Sequence, residues 1–164
     1  MRRILVLDSS AFIGGFQPTS GEECYTVQGV LEEVKKESLR LEVDLRLSEG
    51  VLRVLGPTRD SLSKVERAAT ESGDIALLSK TDMDLLSLAL HFKGEGKDVA
   101  IVTDDYDIQN LAAKLGVSFL PAMEMGIRKV LRWKNICKGC GKRFPIRYKG
   151  RCDTCGSILK IIRG

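Results

Sequence analysis

Four of the five cysteines in this chain fall within its last 30 residues, as Cys137-Lys-Gly-Cys140 and Cys152-Asp-Thr-Cys155, with 11 residues between the pairs. A segment this short cannot bury enough apolar surface to fold alone, so the cysteines must supply its cross-link. No apolar run approaches the roughly 18 residues that span a bilayer. The opening Ile4-Leu5-Val6-Leu7 is cut off by Asp8, short of the roughly 7–15 residues of a signal-peptide core. The chain therefore reads as cytoplasmic, with no membrane partner. In a reducing compartment paired CxxC elements bind metal rather than form disulfides. Four thiolates make a closed tetrahedral Zn2+ site, structural rather than catalytic. Cys137, Cys140, Cys152 and Cys155 are thus expected to hold one Zn2+, with an iron cluster as the alternative. Gly141 and Gly156, each directly after a second cysteine, permit a turn that aims backbone N–H groups at the sulfurs.

The charge divides at the same place. Residues 1–126 hold 14 Lys and Arg against 21 Asp and Glu, a net −7. Residues 127–164 hold 12 against the single acid Asp153, a net +11, and the whole chain carries +4. So basic a tail suggests a polyanionic partner. Its bases interleave with aromatics, a pattern suited to phosphates and unpaired bases. Lys142, Arg143, Arg147, Tyr148, Lys149 and Arg151 are the candidate RNA contacts.

His91 is the only histidine. A two-histidine nuclease or a His-rich metal site is excluded, and most Ser-His-Asp arrangements with them. His91 follows Leu90 on an apolar helix and reads as packed or half-exposed. Chemistry must therefore come from carboxylates, thiolates, lysine or a bound metal.

Along the chain, 3–7 and 99–103 are continuous apolar runs, typical of strands buried on both faces. Shorter strands are expected at 51–55 and 117–120, and helices over 26–38, 39–48, 59–72, 79 or 81 to about 92, and 105–115. Alternation of this kind argues for an α/β fold with a parallel sheet, whose functional edge lies at the carboxyl ends of the strands. Asp8 ends the first run and Asp104-Asp105 the clearest one, while Asp82 opens a helix and Glu32-Glu33 sit on another. Carboxylates converging on one pocket repel one another, and a hard cation such as Mg2+ or Mn2+ removes that penalty. Such an ion supports in-line phosphodiester hydrolysis without histidine. Taken singly, each Asp is as readily a helix cap.

Leu5-Val6-Leu7-Asp8-Ser9-Ser10-Ala11-Phe12 resembles the opening of a PIN domain, a nuclease fold. Residues 25–34, 79–89 and 102–110 resemble its later acidic blocks. In this order, and joined to a four-cysteine ribbon, they resemble the short archaeal form of the Nin-one-binding endoribonucleases. The resemblance implies a PIN-like nuclease domain over 1–122, a connector over 123–134 and a zinc ribbon over 135–164. It implies Asp8, Glu33, Asp82 and Asp104 as the acids holding catalytic Mn2+ or Mg2+. The general PIN pattern T-x-D-x-D favours Asp105 and Asp107 in the last block, so Asp105 stays a candidate; Asp84 is placed in solvent. The implied reaction is cleavage at the 3′ end of small-subunit ribosomal RNA precursor, on the assembling small subunit. The alternative is an RNA-binding assembly factor that keeps the fold without cutting.

Overall fold

The computed structural model describes residues 1–123, 133–145 and 148–163. Most of the expected connector and Arg147 lie outside them. The chain forms two compact units, Met1–Met125 and Gly126–Gly164.

The first unit is built on β1 (Arg3–Leu7), β2 (Glu22–Thr26), β3 (Leu52–Val54), β4 (Val99–Val102) and β5 (Ser118–Leu120). All four pairings are parallel, in the order β3-β2-β1-β4-β5. Ile4 to Leu7 and all of β4 are buried, as continuous apolar runs require at the centre of a covered sheet. The edge strand β5 is largely exposed.

Among the described residues six α-helices accompany the sheet: α1 (Ser9–Ile13), α2 (Gln28–Glu33), α3 (Glu37–Ser48), α4 (Arg59–Ser72), α5 (Lys80–Gly94) and α6 (Tyr106–Lys114). Thr58 caps α4, and Gly73 ends it in the left-handed conformation at φ +81°. That backbone suits glycine. The central helix is α5, burying Met83, Leu85, Leu86, Leu88, Ala89 and Phe92. Its buried Ser87 hydroxyl donates to Met83 O at 2.6 Å, so it adds no orphan polar group.

Two expectations are corrected. The helix expected over 26–38 covers only 28–33, because Cys24-Tyr25-Thr26 belongs to β2. The chain then runs extended through Val34, which is buried, and Lys36 before α3 begins at Glu37 rather than 39. Burying Val34 draws the backbone out of the helical path that the sequence periodicity favours.

Strand order reverses between β1 and β4, since β2 and β3 lie to one side and β5 to the other. In open parallel sheets the crevice at the carboxyl ends of such a pair is the natural site for a ligand.

The second unit is an antiparallel sheet of β7 (Arg143–Phe144), β6 (Trp133–Cys137) and β8 (Leu159–Arg163), in that order. Together with its cysteines it has the form of a zinc ribbon. Among the described residues no helix is long and apolar enough to cross a membrane.

Candidate functional site

Leu7 pairs with Val102, which sets Asp8 beside Thr103 at the reversal point. Asp8 is 5% exposed and caps α1. Its Oδ1 accepts from Ser9 N–H at 2.7 Å, and its Oδ2 accepts from Thr103 Oγ1 at 2.8 Å and Ser10 Oγ at 3.2 Å. Thr103 is fully buried and also accepts from Asp105 N–H at 3.0 Å. One hydroxyl thus fixes both the first acid and the loop bearing the last.

The three acids after β4 have different surroundings. Asp105 caps α6 through Oδ1, which accepts from Asp107 N–H at 2.8 Å and Ile108 N–H at 3.4 Å. Asp104 Oδ1 accepts from Ala122 N–H at 2.9 Å. Asp107 contributes its backbone N–H to Asp105, and its carboxylate makes no hydrogen bond or ion pair among the described residues.

Asp82 closes a capping box at the start of α5. Its Oδ2 accepts from Ser79 N–H at 2.8 Å, and its own N–H donates to Ser79 Oγ at 3.1 Å. Burial raises its carboxyl above the ordinary range, the Ser79 hydrogen bonds pull the other way, and the charges of Asp105 and Asp8 push it further up. Asp82 therefore lies near enough to Asp105 and Asp8 to feel their charges.

Glu33 is exposed at the end of α2. Gly29 lies one turn before it, on the same helix face, and packs so closely on Thr81 that a Cβ would overlap the threonine hydroxyl. Glu33 therefore lies on the face that α2 turns toward Thr81 and its neighbour Asp82. Glu32 lines a different groove of about 160 Å³ with Gln28, Leu31, Arg40 and Asp44. Asp84, expected in solvent, is half-buried, and burial raises its carboxyl. It lines a groove with Leu62, Glu66 and Lys80.

His91 lies about 13 Å beyond Asp82 along α5 and pairs with Glu95 at 3.6 Å. Cys24 is 3% exposed and its thiol is pushed up to about 11, mainly by burial, so it is an inert core residue.

In the second unit the Sγ atoms of Cys137, Cys140, Cys152 and Cys155 lie within 4.8 Å of one another. Cys137–Cys155 and Cys140–Cys152 are separated by 3.3 and 3.6 Å, far beyond the roughly 2.05 Å of a disulfide. Each CxxC turn repeats the other. Gly139 N–H donates to Cys137 Sγ at 3.3 Å, and Thr154 N–H to Cys152 Sγ at 3.4 Å. Gly141 and Gly156 donate instead to the carbonyls of Cys137 and Cys152. The glycines thus close the turns at φ +74° and +72°, while the residues inside them face sulfur. Among the described residues this is the one group of potential metal ligands drawn so close together.

Lys142, Arg143, Lys149 and Arg151 are exposed. Lys142 is already held by Asp153 at 2.6 Å, which raises its pKa, and Arg151 donates to Gly156 O at 3.3 Å. Tyr148 stacks on Phe144 with centroids 4.6 Å apart, and its carbonyl accepts from Asn135.

Thr103 and Ser10, which hold Asp8 and the loop after β4, were not among the candidates read from the sequence. A hydroxyl residue between a buried strand and an acid pair was the available signal.

Residues 5–92 match the family described as PIN domain of ribonuclease. The chain is 42% identical over 159 residues to Endoribonuclease Nob1 of Methanothermobacter thermautotrophicus, covering 96% of this chain and 91% of that protein. It is 40% identical over 157 residues to Ribonuclease VapC1 of Thermoplasma acidophilum, covering 96% and 77%. A more distant relative, 29% identical over 89 residues, is the 20S-pre-rRNA D-site endonuclease NOB1 of Saccharomyces cerevisiae, with 52% of this chain and 19% of that protein covered. Because the archaeal likeness runs on from the acid-lined sheet through the cysteines, instead of stopping where the nuclease domain does, the chain belongs to the Nob1 endoribonucleases, which are built on a PIN domain.

Proposed function

We propose that this endoribonuclease cuts small-subunit ribosomal RNA precursor at its 3′ end in the cytoplasm, using Mn2+ or Mg2+ at its carboxylates and zinc in its ribbon. The carrying observation is that the Thr103 hydroxyl ties Asp8 to the backbone of Asp105 where the strand order reverses, with Asp82 near enough to feel both charges. The metal-holding set in this reading is Asp8, Glu33, Asp82 and Asp105. Its donors are all oxygen, which fits a hard cation, whereas the four sulfurs fit Zn2+. A bound divalent cation would supply activated water and offset the charge on the scissile phosphate.

The protein's own part is orientation. The Asp8 carboxylate is locked by four hydrogen bonds, from Ser9 N–H, Ser9 Oγ, Ser10 Oγ and Thr103 Oγ1. Asp82 and Asp105 each use one oxygen as a helix cap, and the other makes no hydrogen bond among the described residues. The N-termini of α5 and α6 bring partial positive charge to the same edge. Arg143, Lys149 and the neighbouring bases of the ribbon hold the RNA backbone. The precursor as substrate is supported by the yeast relative's name, which specifies pre-rRNA.

The test is incubation with RNA spanning the small-subunit 3′ processing site, with Mn2+, with Mg2+ and with neither, beside Asp82→Asn. Cleavage at one position that needs a divalent ion and drops roughly 100-fold in Asp82→Asn is expected. No cleavage under any metal, or cleavage that survives the substitution, sinks the reading. The likeness to a protein named Ribonuclease VapC1 favours a second reading, a ribonuclease of broader substrate range. Equal cutting of an unrelated RNA of the same length would select it.

A further inference from the structure

Asp104 differs from the other acids of the sheet edge in what its carboxylate does. We infer that it is a positioning residue, bracing the segment just after β5 against the helix capped by Asp8. The inference rests on the proposed reading of Asp8, Glu33, Asp82 and Asp105 as the metal-holding set.

Three hydrogen bonds run in series. Ala122 N–H donates to Asp104 Oδ1 at 2.9 Å, Asp104 N–H donates to Ser10 Oγ at 3.1 Å, and Ser10 Oγ donates to Asp8 Oδ2 at 3.2 Å. Their direction is fixed: Ser10 accepts from a backbone N–H, so its one proton is free for Asp8.

A second observation, independent of these bonds, places the same segment on the far end of α1. Ala122 is 1% exposed. A Cβ on Gly14, the C-cap of α1, would lie 3.0 Å from Met123 Cγ and 3.4 Å from Ala122 O. The segment thus grips α1 at Ser10 through Asp104 and at Gly14 by direct packing. In α1, Asp8 is the cap and Ser10 the second residue, so a brace on this helix is a brace on the first acid. Asp104 acts through these neighbours, and Asp105 is left as the acid of this loop whose charge is felt at Asp82.

The test compares Asp104→Asn, Asp104→Ala and Asp105→Asn in the full chain. Asparagine keeps an oxygen for Ala122 N–H but loses the charge that a metal ligand needs. The readouts are single-turnover cleavage with Mn2+, Mn2+ affinity by electron paramagnetic resonance, and hydrogen exchange of the Ala122 amide. Asp104→Asn should stay within about threefold of wild type in all three, while Asp104→Ala should exchange Ala122 about tenfold faster and cleave about tenfold more slowly. Asp105→Asn should lose roughly 100-fold in cleavage and bind Mn2+ more weakly, with Ala122 unchanged.

Two outcomes overturn the inference. One is an Asp104→Asn variant as inactive as Asp105→Asn with normal Ala122 exchange, which would make Asp104 a ligand. The other is an Asp104→Ala variant unchanged in cleavage and exchange. A wild type that is inactive with every metal refutes the nuclease reading instead, and Ala122 exchange and Mn2+ affinity then still decide the brace.

Discussion

Gly29 sits where α2 meets the start of α5, and replacing it with alanine tests how Glu33 is held. The added methyl would overlap Thr81 Oγ1 and lie 3.1 Å from both Cβ and Cγ2 of the same residue. Turning the threonine moves its hydroxyl but leaves Cβ in place, and its branched Cβ restricts the turn. Helix α2 must therefore back away by several tenths of an ångström. Overpacking of this kind costs about 1–3 kcal/mol. Alanine's helix advantage over glycine returns at most about 1 kcal/mol. Gly29 does not have a positive φ, so that advantage is open to it. The net expectation is a loss of up to about 2 kcal/mol, which in a chain of this size lowers the melting temperature by about 4–8 °C. Thr81→Ala removes Oγ1 and Cγ2 together. In that background only the 3.1 Å contact with the residue-81 Cβ remains, so Gly29→Ala should cost clearly less than it does beside threonine. The retreat of α2 carries Glu33 with it by the same few tenths of an ångström, short of the roughly 1 Å that costs on the order of 100-fold, so cleavage should slow by roughly tenfold. Urea denaturation followed by circular dichroism, with single-turnover cleavage on the same four proteins, completes the cycle. A Gly29→Ala protein more stable than wild type would refute the packing argument. A double variant that regains stability but not cleavage would refute the link to Glu33.

Three further outcomes are expected. Burial raises the Asp82 carboxyl above its ordinary 3.8, so the folded, metal-free protein holds that proton more tightly than the unfolded chain. Stability then falls as pH rises from the ordinary value through the raised one. Asp82→Asn should accordingly be the more stable protein at neutral pH and equal to wild type in strong acid; a urea midpoint lower than wild type at neutral pH would contradict this. Metal analysis should find about one zinc per chain, and chelation under reducing conditions should melt the ribbon sheet while the helical signal persists; iron with visible absorbance would refute the assignment. Arg143→Ala and Lys149→Ala should each weaken RNA binding and reduce its salt slope by about one. Lys142→Ala should do less, because Asp153 already holds that ammonium at 2.6 Å.

The parts of the fold legible in the sequence are those with a local cause. The runs that became β1 and β4 are apolar without interruption because helices cover both faces of the sheet. Thr58, Ser79 and Asp105 announce helix starts through their own side chains. The strand β2 was hidden because Glu22 and Glu23 dilute its pattern, and the break at Val34 because only the tertiary core explains it. The cysteine cluster follows from spacing alone. The separation of Glu33 from Glu32 does not, since it depends on a contact between Gly29 and Thr81, 52 positions apart. Capping and metal holding, weighed as rivals for each aspartate, do not exclude one another at Asp82 and Asp105, where the cap occupies one carboxylate oxygen.

That double duty bears on how such a domain would decay. Substituting a capping aspartate by alanine costs about 0.5–2 kcal/mol of stability whether or not any RNA is cut. A descendant that had given up its reaction would still be under pressure to keep Asp8 at the head of α1 and Asp105 at the head of α6. Retained aspartates would then report on folding rather than on chemistry. Glu33 makes no hydrogen bond or ion pair among the described residues, so no structural duty would hold it in place. The loss of nuclease activity in this lineage would be expected to register first at Glu33.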